Sequence, residues 1–390
     1  MLENNAGDFV FCEQKERLGT GHAVKQAAPY LPDTGKTLIL YADVPLVSVA
    51  SLKKLIKSAQ RKKLSILTSK ISKPKGYGRI IRDEKMNPIN IREEADASVQ
   101  EKTINEIFTG IMIVDNKFLK NGLKGLVRNN KAGEYYLTDL VEFASKRKQP
   151  IGSTEAKEIE VLGANNKKEL EDLYKAMVEL NIDAAKKKGT FFKDTSTCYV
   201  EGALKVGKDV LIGNNVTIKG NVVLGNNVAI GSNVILSNTT IGSNSTIKEF
   251  CSIEDSKISK NVEVGPFARL RNGVVLDNSA KIGNFVEVKK SRIGQNTKAN
   301  HHAYIGDAEI GKKSNIGAGT ITCNYDGENK HETKVGDSVF IGSNSSLVAP
   351  LKVGKKSYVA AGSVVTSDVP AGSLAFGRAK QKNKTNWKKK

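Results

Sequence analysis

The chain holds only four histidines, and two of them are neighbours: His301 and His302 in ANHHAYIGD, with His22 and His331 elsewhere. An imidazole titrates near neutral pH, so it can take a proton from an attacking amine and hand it to a leaving group. An adjacent pair also suits an ordinary turn, and at this point both readings stand. Two cations, Arg271 and Lys289, are 18 residues apart. Such a pair could grip a phosphate or could sit as two solvated corner residues. A carboxylate, Asp43, falls within the apolar stretch TLILYADVPL. It sits at the carboxyl end of a strand, where chemistry collects in α/β domains.

A repeat must position the first two sets. A branched aliphatic recurs every six residues at Val206, Ile212, Ile218, Leu224 and Ile230, then at Ile241, Ile247 and Ile253, from Ile258 to Val288, and from Val335 to Val365. A strand alternates faces every two residues, so one inward aliphatic per six implies short strands separated by turns, a parallel β-helix. Glycines such as Gly207, Gly213 and Gly225, and Asn pairs such as Asn214 and Asn215, supply residues that tolerate tight turns. Three hexads per triangular coil over residues 204–369 predict about nine coils. Eighteen residues are then one coil, which stacks Arg271 and Lys289 on one face. Five-residue steps ending at Ile241, Ile258, Ile293 and Ile310 shorten the count, and ITCNYDGENKHETK between Ile321 and Val335 breaks it. A solenoid that ejects one long loop usually does so for binding.

Residues 1–165 read differently. Strands are predicted at TLILYADVPL, LSILTSK, INEIFTGIMIV and PIGSTEAKEIEVL, with a helix at SVASLKKLIKSAQRKK, which makes an alternating, Rossmann-like α/β domain. NKKELEDLYKAMVELNIDAAKKKG predicts a linker helix over 166–190 with Leu170, Leu173, Tyr174 and Met177 on one face. The β-helix follows over 191–369 and a basic tail over 370–390.

Composition narrows the classes. The chain has 390 residues, too many for one core, and with 39% hydrophobic residues it has no apolar run near 18, so no membrane span is expected. The acidic opening MLENNAGDFV is unlike a signal peptide, and four cysteines without CxxC spacing fit a reduced, cytoplasmic location. The net charge of +20 is spread along the chain except in KQKNKTNWKKK. Without aromatic-interleaved recognition motifs, that pattern indicates a solvated Lys-rich surface and a frayed tail rather than nucleic-acid binding.

Nine motifs in order carry a family resemblance: LGTGHAV (18–24), YADVPL (41–46), GYGRI (76–80), EYYLTD (134–139), GANN (163–166), GPFARLR (265–271), GNFVEVKK (283–290), IGAGTITCNYDG (316–327) and AAGS near Ala361. Together they resemble the bacterial bifunctional N-acetylglucosamine-1-phosphate uridyltransferase and glucosamine-1-phosphate N-acetyltransferase over essentially the whole chain. The resemblance implies a nucleotidyltransferase-like domain before a left-handed β-helix of hexapeptide repeats. It also implies a homotrimer and the last two steps toward UDP-N-acetylglucosamine for the cell wall.

Carried over residue by residue, the resemblance makes His301 the acetyltransfer base, with His302 an extra neighbour. It places Arg271, Lys289, Tyr304 and Asn315 on the sugar phosphate, and Ala318, Asn324, Tyr325, Ser343, Ala361 and Arg378 on acetyl-CoA. In the α/β domain it assigns Gln14, Gly19 and Thr20 to the uridine of UTP, Gly78 and Glu93 to the sugar, and Asp43 and Asn165 to Mg²⁺.

Three departures stand out. Phe108 in EIFTG replaces an Asn, Ala42 replaces a Gly, and the family's first strand with its Gly-rich loop and Lys is not found. The expectation is therefore a truncated or mis-started α/β domain with impaired uridyltransferase activity. Two other classes compete. A non-catalytic pyrophosphorylase-like regulatory subunit would lack the base and the CoA loop, whereas His301, Asn324 and Tyr325 are present. A trimeric hexapeptide metalloenzyme needs three converging zinc histidines, and beyond the pair the solenoid offers only His331.

Overall fold

A computed structural model describes residues 9–164, 166–385 and 387. The chain divides into two compact units, residues 1–176 and 177–390.

In the first unit a sheet of six strands is built around one long strand, β5 (Glu106–Asp115), buried at eight consecutive positions. The other strands are β1 (Lys36–Ile39), β2 (Leu64–Lys70), β3 (Arg79–Arg82), β4 (Pro88–Arg92) and β6 (Ile151–Glu155). β1, β2 and β3 pair antiparallel with β5, while β6 runs parallel to β2. Helices α1 (Thr20–Ala27), α2 (Val49–Ser58), α3 (Asn116–Lys124) and α4 (Asp139–Lys146) accompany the sheet. The Ser48 hydroxyl caps α2 through the Ser51 amide, and Asp115 caps α3 through that of Phe118.

Two details shape the site. First, β1 stops at Ile39 rather than running to residue 46 as expected, because the chain turns at Tyr41, whose carbonyl accepts from the Val44 amide. Second, the β2–β5 register slips: Ile66 faces Met112 but Thr68 faces Phe108, so β5 bulges at residues 109–111. A bulge re-aims the residues around it. At its centre Gly110 has φ 82°, and a Cβ there would lie 2.6 Å from the Tyr41 ring, so glycine alone lets that ring pack on the strand.

Helix α5 (Lys167–Lys186) forms where the linker helix was predicted, with a different buried face. Leu173, Ala176, Val178, Ile182 and Ala185 are buried, whereas Leu170 and Tyr174 are exposed. A stripe with its centre near Met177 counts apolar residues but not the small Ala176 and Ala185 that allow close approach. Val178, Ile182 and Ala185 join the core of the second unit.

The second unit is a left-handed parallel β-helix. Its first face includes Arg269–Arg271, Glu287–Lys289, Tyr304–Gly306 and Ile321–Cys323, each paired in parallel with the next. The second includes Val275–Leu276, Arg292–Ile293, Ala308–Ile310 and Thr333–Val335. The third is an eleven-strand stack from Phe191–Phe192 to Leu374–Ala375. The solenoid is therefore about ten coils long, more than the nine expected, because its first and last coils lack the full hexad.

The hexad aliphatics are the core: Ile212, Ile218, Leu224, Ile230, Leu236, Ile241, Ile247, Ile253 and their successors are buried in one continuous cluster. The turns obey the pattern too. Asn215, Asn227, Asn233, Asn244 and Asn261 all have φ between 52° and 59°.

Candidate functional site

One corner of the solenoid, between its third and first faces, collects several residues expected to serve acetyl transfer in a column. Asn284 pairs with His301 across neighbouring coils. The register of the third face then carries the column through Ala318, Ser343 and Ala361. Amide bonds of the following turn residues fix the stack: Gly319 N donates to His302 O, Asn344 N to Ala318 O and Gly362 N to Ser343 O, at 2.7, 2.7 and 2.8 Å. At roughly 4.8 Å per coil, His301 to Ala361 spans about 14 Å. Arg378 closes the far end, its Nη1 donating to the Ala361 carbonyl at 3.0 Å.

His301 is exposed, and its Nδ1 lies 2.8 Å from the Asn284 side-chain oxygen. That acceptor places the ring proton on Nδ1 and leaves the Nε2 lone pair for a proton. His302 sits in the left-handed turn, φ 42°, so its side chain leaves the column. The same turn column below it holds Phe285, Phe267 and Phe250, also at positive φ, stacked with ring centroids 5.1 and 4.8 Å apart.

The first face carries the cations. Arg271 pairs with Lys289 in adjacent strands, as the one-coil spacing predicted. Arg271 Nε donates to Glu287 at 2.7 Å, which holds its guanidinium firmly charged. Lys289 is only 7% exposed, and its ammonium donates to Asp307 at 3.0 Å. Lys289 is held above the usual lysine range by a hydrogen bond to the Lys330 amine and then by Asp307. Lys330 is correspondingly pushed down by Lys289. Burial would raise the Asp307 carboxyl, but Lys289 and Asn324 outweigh it and hold it low. Tyr304 lies one coil above Glu287, its ring over Gly306, where a Cβ would strike the hydroxyl.

Asn324 and Tyr325 open the ejected loop at the end of this face; Tyr325 is exposed and Asn324 buried. Asn315 stands apart from the other residues expected at the sugar phosphate, on the third face between Lys298 and Phe340.

The first unit has a separate cavity of about 490 Å³, lined among others by Thr20, Tyr41, Asp43, Gly78, Glu93 and the bulge residues Phe108, Thr109 and Gly110. Burial raises the Glu93 carboxyl, against a hydrogen bond from Thr138, and pushes the Tyr41 phenol up to about 12. At Gly78 a Cβ would lie 2.8 Å from the Ile91 side chain, which would have to shift to admit it. Gln14 donates to the Gly19 carbonyl at 3.1 Å, next to Thr20. A Cβ on Gly19 would lie 2.7 Å from the Tyr135 carbonyl. Asn165 falls outside the described residues; the Ala164 amide before it donates to the Asp43 carbonyl at 3.2 Å. Phe108 occupies the cavity wall where the family's Asn would stand.

Three family models match this chain: nucleotidyl transferase over residues 3–160, the GMPPB C-terminal domain over 195–280, and the hexapeptide repeat of succinyl-transferase over 332–367. Among the curated relatives, the bifunctional protein GlmU of Idiomarina loihiensis is 45% identical over 98% of this chain and 84% of its own length. Those of Nitrosomonas europaea and Acinetobacter baylyi are 46% and 47% identical, with the same coverage. The chain belongs to the GlmU family.

Within that GlmU framework the structure adds residues that the motifs passed over. Lys330 brings a third amine beside Lys289 although 41 positions separate them in sequence, because the ejected loop folds back. Asn284 orients His301 from one coil below, and Glu287 and Asp307 brace the two cations. Counting back one coil from His301 would have found Asn284; nothing in the sequence tells how the loop returns.

Proposed function

We propose that the solenoid transfers the acetyl group of acetyl-CoA to the amine of glucosamine-1-phosphate, releasing CoA, and that in the α/β unit a phosphate oxygen of the resulting N-acetylglucosamine-1-phosphate attacks the α-phosphorus of UTP, breaking its bond to the β-phosphate, so that UDP-N-acetylglucosamine forms and pyrophosphate leaves. The observation that carries the reading is the column of His301, Ala318, Ser343 and Ala361 on consecutive coils, with cations on the adjoining face. A thin, extended pantetheine arm needs a straight track of small side chains, and Ala318 and Ala361 supply one that ends at the imidazole. Arg378 offers the far end a charge for a CoA phosphate.

The sugar phosphate is held by Arg271 and Lys289, with the Lys330 amine and Tyr304 beside them. As the amine attacks the thioester carbonyl, His301 Nε2 takes its proton, while Asn284 stabilises the orientation of the ring. The imidazolium then protonates the departing CoA sulfur, so the base is regenerated. Asn315, on a different face, serves a site completed by another subunit of a homotrimer.

In the α/β unit, Gln14, Gly19 and Thr20 meet the uridine, and Gly78 and Glu93 the sugar. An exposed carboxylate at a cavity of this size suits a partly hydrated Mg²⁺, so Asp43 would hold the ion with Asn165. When bound, the metal neutralises phosphate charge. We place the enzyme in the cytoplasm, where both nucleotide substrates are made.

The test incubates the full chain with acetyl-CoA and glucosamine-1-phosphate without metal, following thiol release, and separately with UTP, N-acetylglucosamine-1-phosphate and Mg²⁺. Acetylated sugar phosphate is the expected product of the first reaction. Binding of both ligands without thiol release would instead support a regulatory subunit.

A further inference from the structure

Asp307 takes no part in the chemistry above, yet its buried carboxylate joins Lys289 of the first face to Asn324 of the ejected loop. It follows Tyr304–Gly306 at a left-handed turn, φ 47°, and is 8% exposed. Its Oδ2 accepts from Lys289 Nζ at 3.0 Å and from Asn324 Nδ2 at 2.5 Å, and its Oδ1 lies 3.7 Å from Lys290 Nζ. Its backbone carbonyl accepts from the Thr333 amide at 3.2 Å. Asn324 and Thr333 are the two ends of the ejected loop, so a single residue clasps the loop's neck and holds the buried cation.

An anion cannot itself bind phosphate, and a buried charge must keep a partner. Lys289 therefore has two competing claims on it, Asp307 and an incoming phosphate. When a dianion draws the ammonium toward itself, the Asp307 oxygen that Lys289 shared falls more fully to Asn324, the other donor on the same atom. The loop's first residue is then held more firmly.

We propose that Asp307 is a positioning residue that couples the two substrate sites: sugar phosphate on Lys289 sets Asn324 for acetyl-CoA, and acetyl-CoA on Asn324 sets Lys289 for phosphate. The inference rests on the reading of Lys289 as a phosphate ligand and Asn324 as an acetyl-CoA ligand. Such coupling is reciprocal by thermodynamic necessity, and typical values run from about 5-fold to 150-fold in affinity.

The experiment is calorimetric titration of the full chain with free CoA, which cannot react, with and without saturating glucosamine-1-phosphate, and the reverse titration. Wild type is expected to bind each ligand at least about 5-fold more tightly when the other is present, by the same factor in both directions. In Asp307→Asn each ligand still binds alone, but the factor falls to within about twofold of unity. Asn324→Ala, which keeps the Lys289–Asp307 pair but gives up a CoA contact, is expected to bind CoA more weakly, to bind glucosamine-1-phosphate alone as wild type does, and to lose the factor as well; it covers the case in which the first variant does not fold. Independent binding in wild type, or coupling that persists in Asp307→Asn, overturns the inference and leaves the acetyltransferase reading intact. Failure of both ligands to bind wild type overturns that reading and the inference together.

Discussion

Above and below His301, the same solenoid corner has the same backbone and opposite side chains. Below it, the left-handed turn positions carry Phe250, Phe267 and Phe285, which are 51%, 45% and 57% exposed and stacked on one another. Above it, the equivalent positions carry Gly319, Asn344 and Gly362, behind a column of Ala318, Ser343 and Ala361. A bulky side chain at positive φ is a true outlier, whereas glycine and asparagine sit there at little cost. The β-helix thus provides a straight corner along its whole length, and side-chain size decides which part of it is a track for a ligand.

The comparison breaks most readily at its upper end. Ala361→Phe is expected to raise the acetyl-CoA KM roughly 10- to 100-fold, the equivalent of about 1–3 kcal/mol of overpacking, with kcat at saturation little changed. Steady-state kinetics read this directly, and an unaltered KM would take Ala361 out of the track.

Gly319→Ala tests the turn itself. The residue has φ 73°, and a Cβ would run into the Asn344 side chain. A loss of about 1–3 kcal/mol in unfolding free energy is expected in denaturant titrations. Unchanged stability would mean that the corner yields more than its repeat implies.

Phe285→Asn is expected to do least. Relief of strain at φ 55° and loss of one ring stack are each worth about 1 kcal/mol and oppose one another, so the net change should stay under about 1 kcal/mol. A loss of several kcal/mol would show that the aromatic ladder is covered in the assembled protein.

The solenoid was legible because each inward aliphatic is its own signal, repeated every six residues with Asn at the turn; Leu236, Ile253 and Leu270 are buried where the period puts them. Its ends were not, since Phe191–Phe192 and Leu374–Ala375 belong to coils without full hexads. In the α/β unit β2 appeared where LSILTSK predicted it: Leu64, Ile66 and Leu67 stand between Lys63 and Lys70, and the small Ser65, Thr68 and Ser69 are buried with them. β1 was read too long, because the turn at Tyr41 depends on a glycine almost 70 residues away. Side-chain partners followed the same division. Arg271 and Lys289 were placed together by the coil length, while Lys330 was hidden by the ejected loop, whose path no repeat dictates.

The most direct measurement compares acetyl transfer by His301→Ala and His302→Ala. His301 stands in the column with its Nδ1 on Asn284, and His302 turns away at φ 42°. The account predicts that His301→Ala lowers kcat by about 10² to 10⁴, the usual worth of a positioned general base, while His302→Ala keeps turnover within a few-fold of wild type. If His302→Ala does the greater damage, the base is not where the corner column puts it.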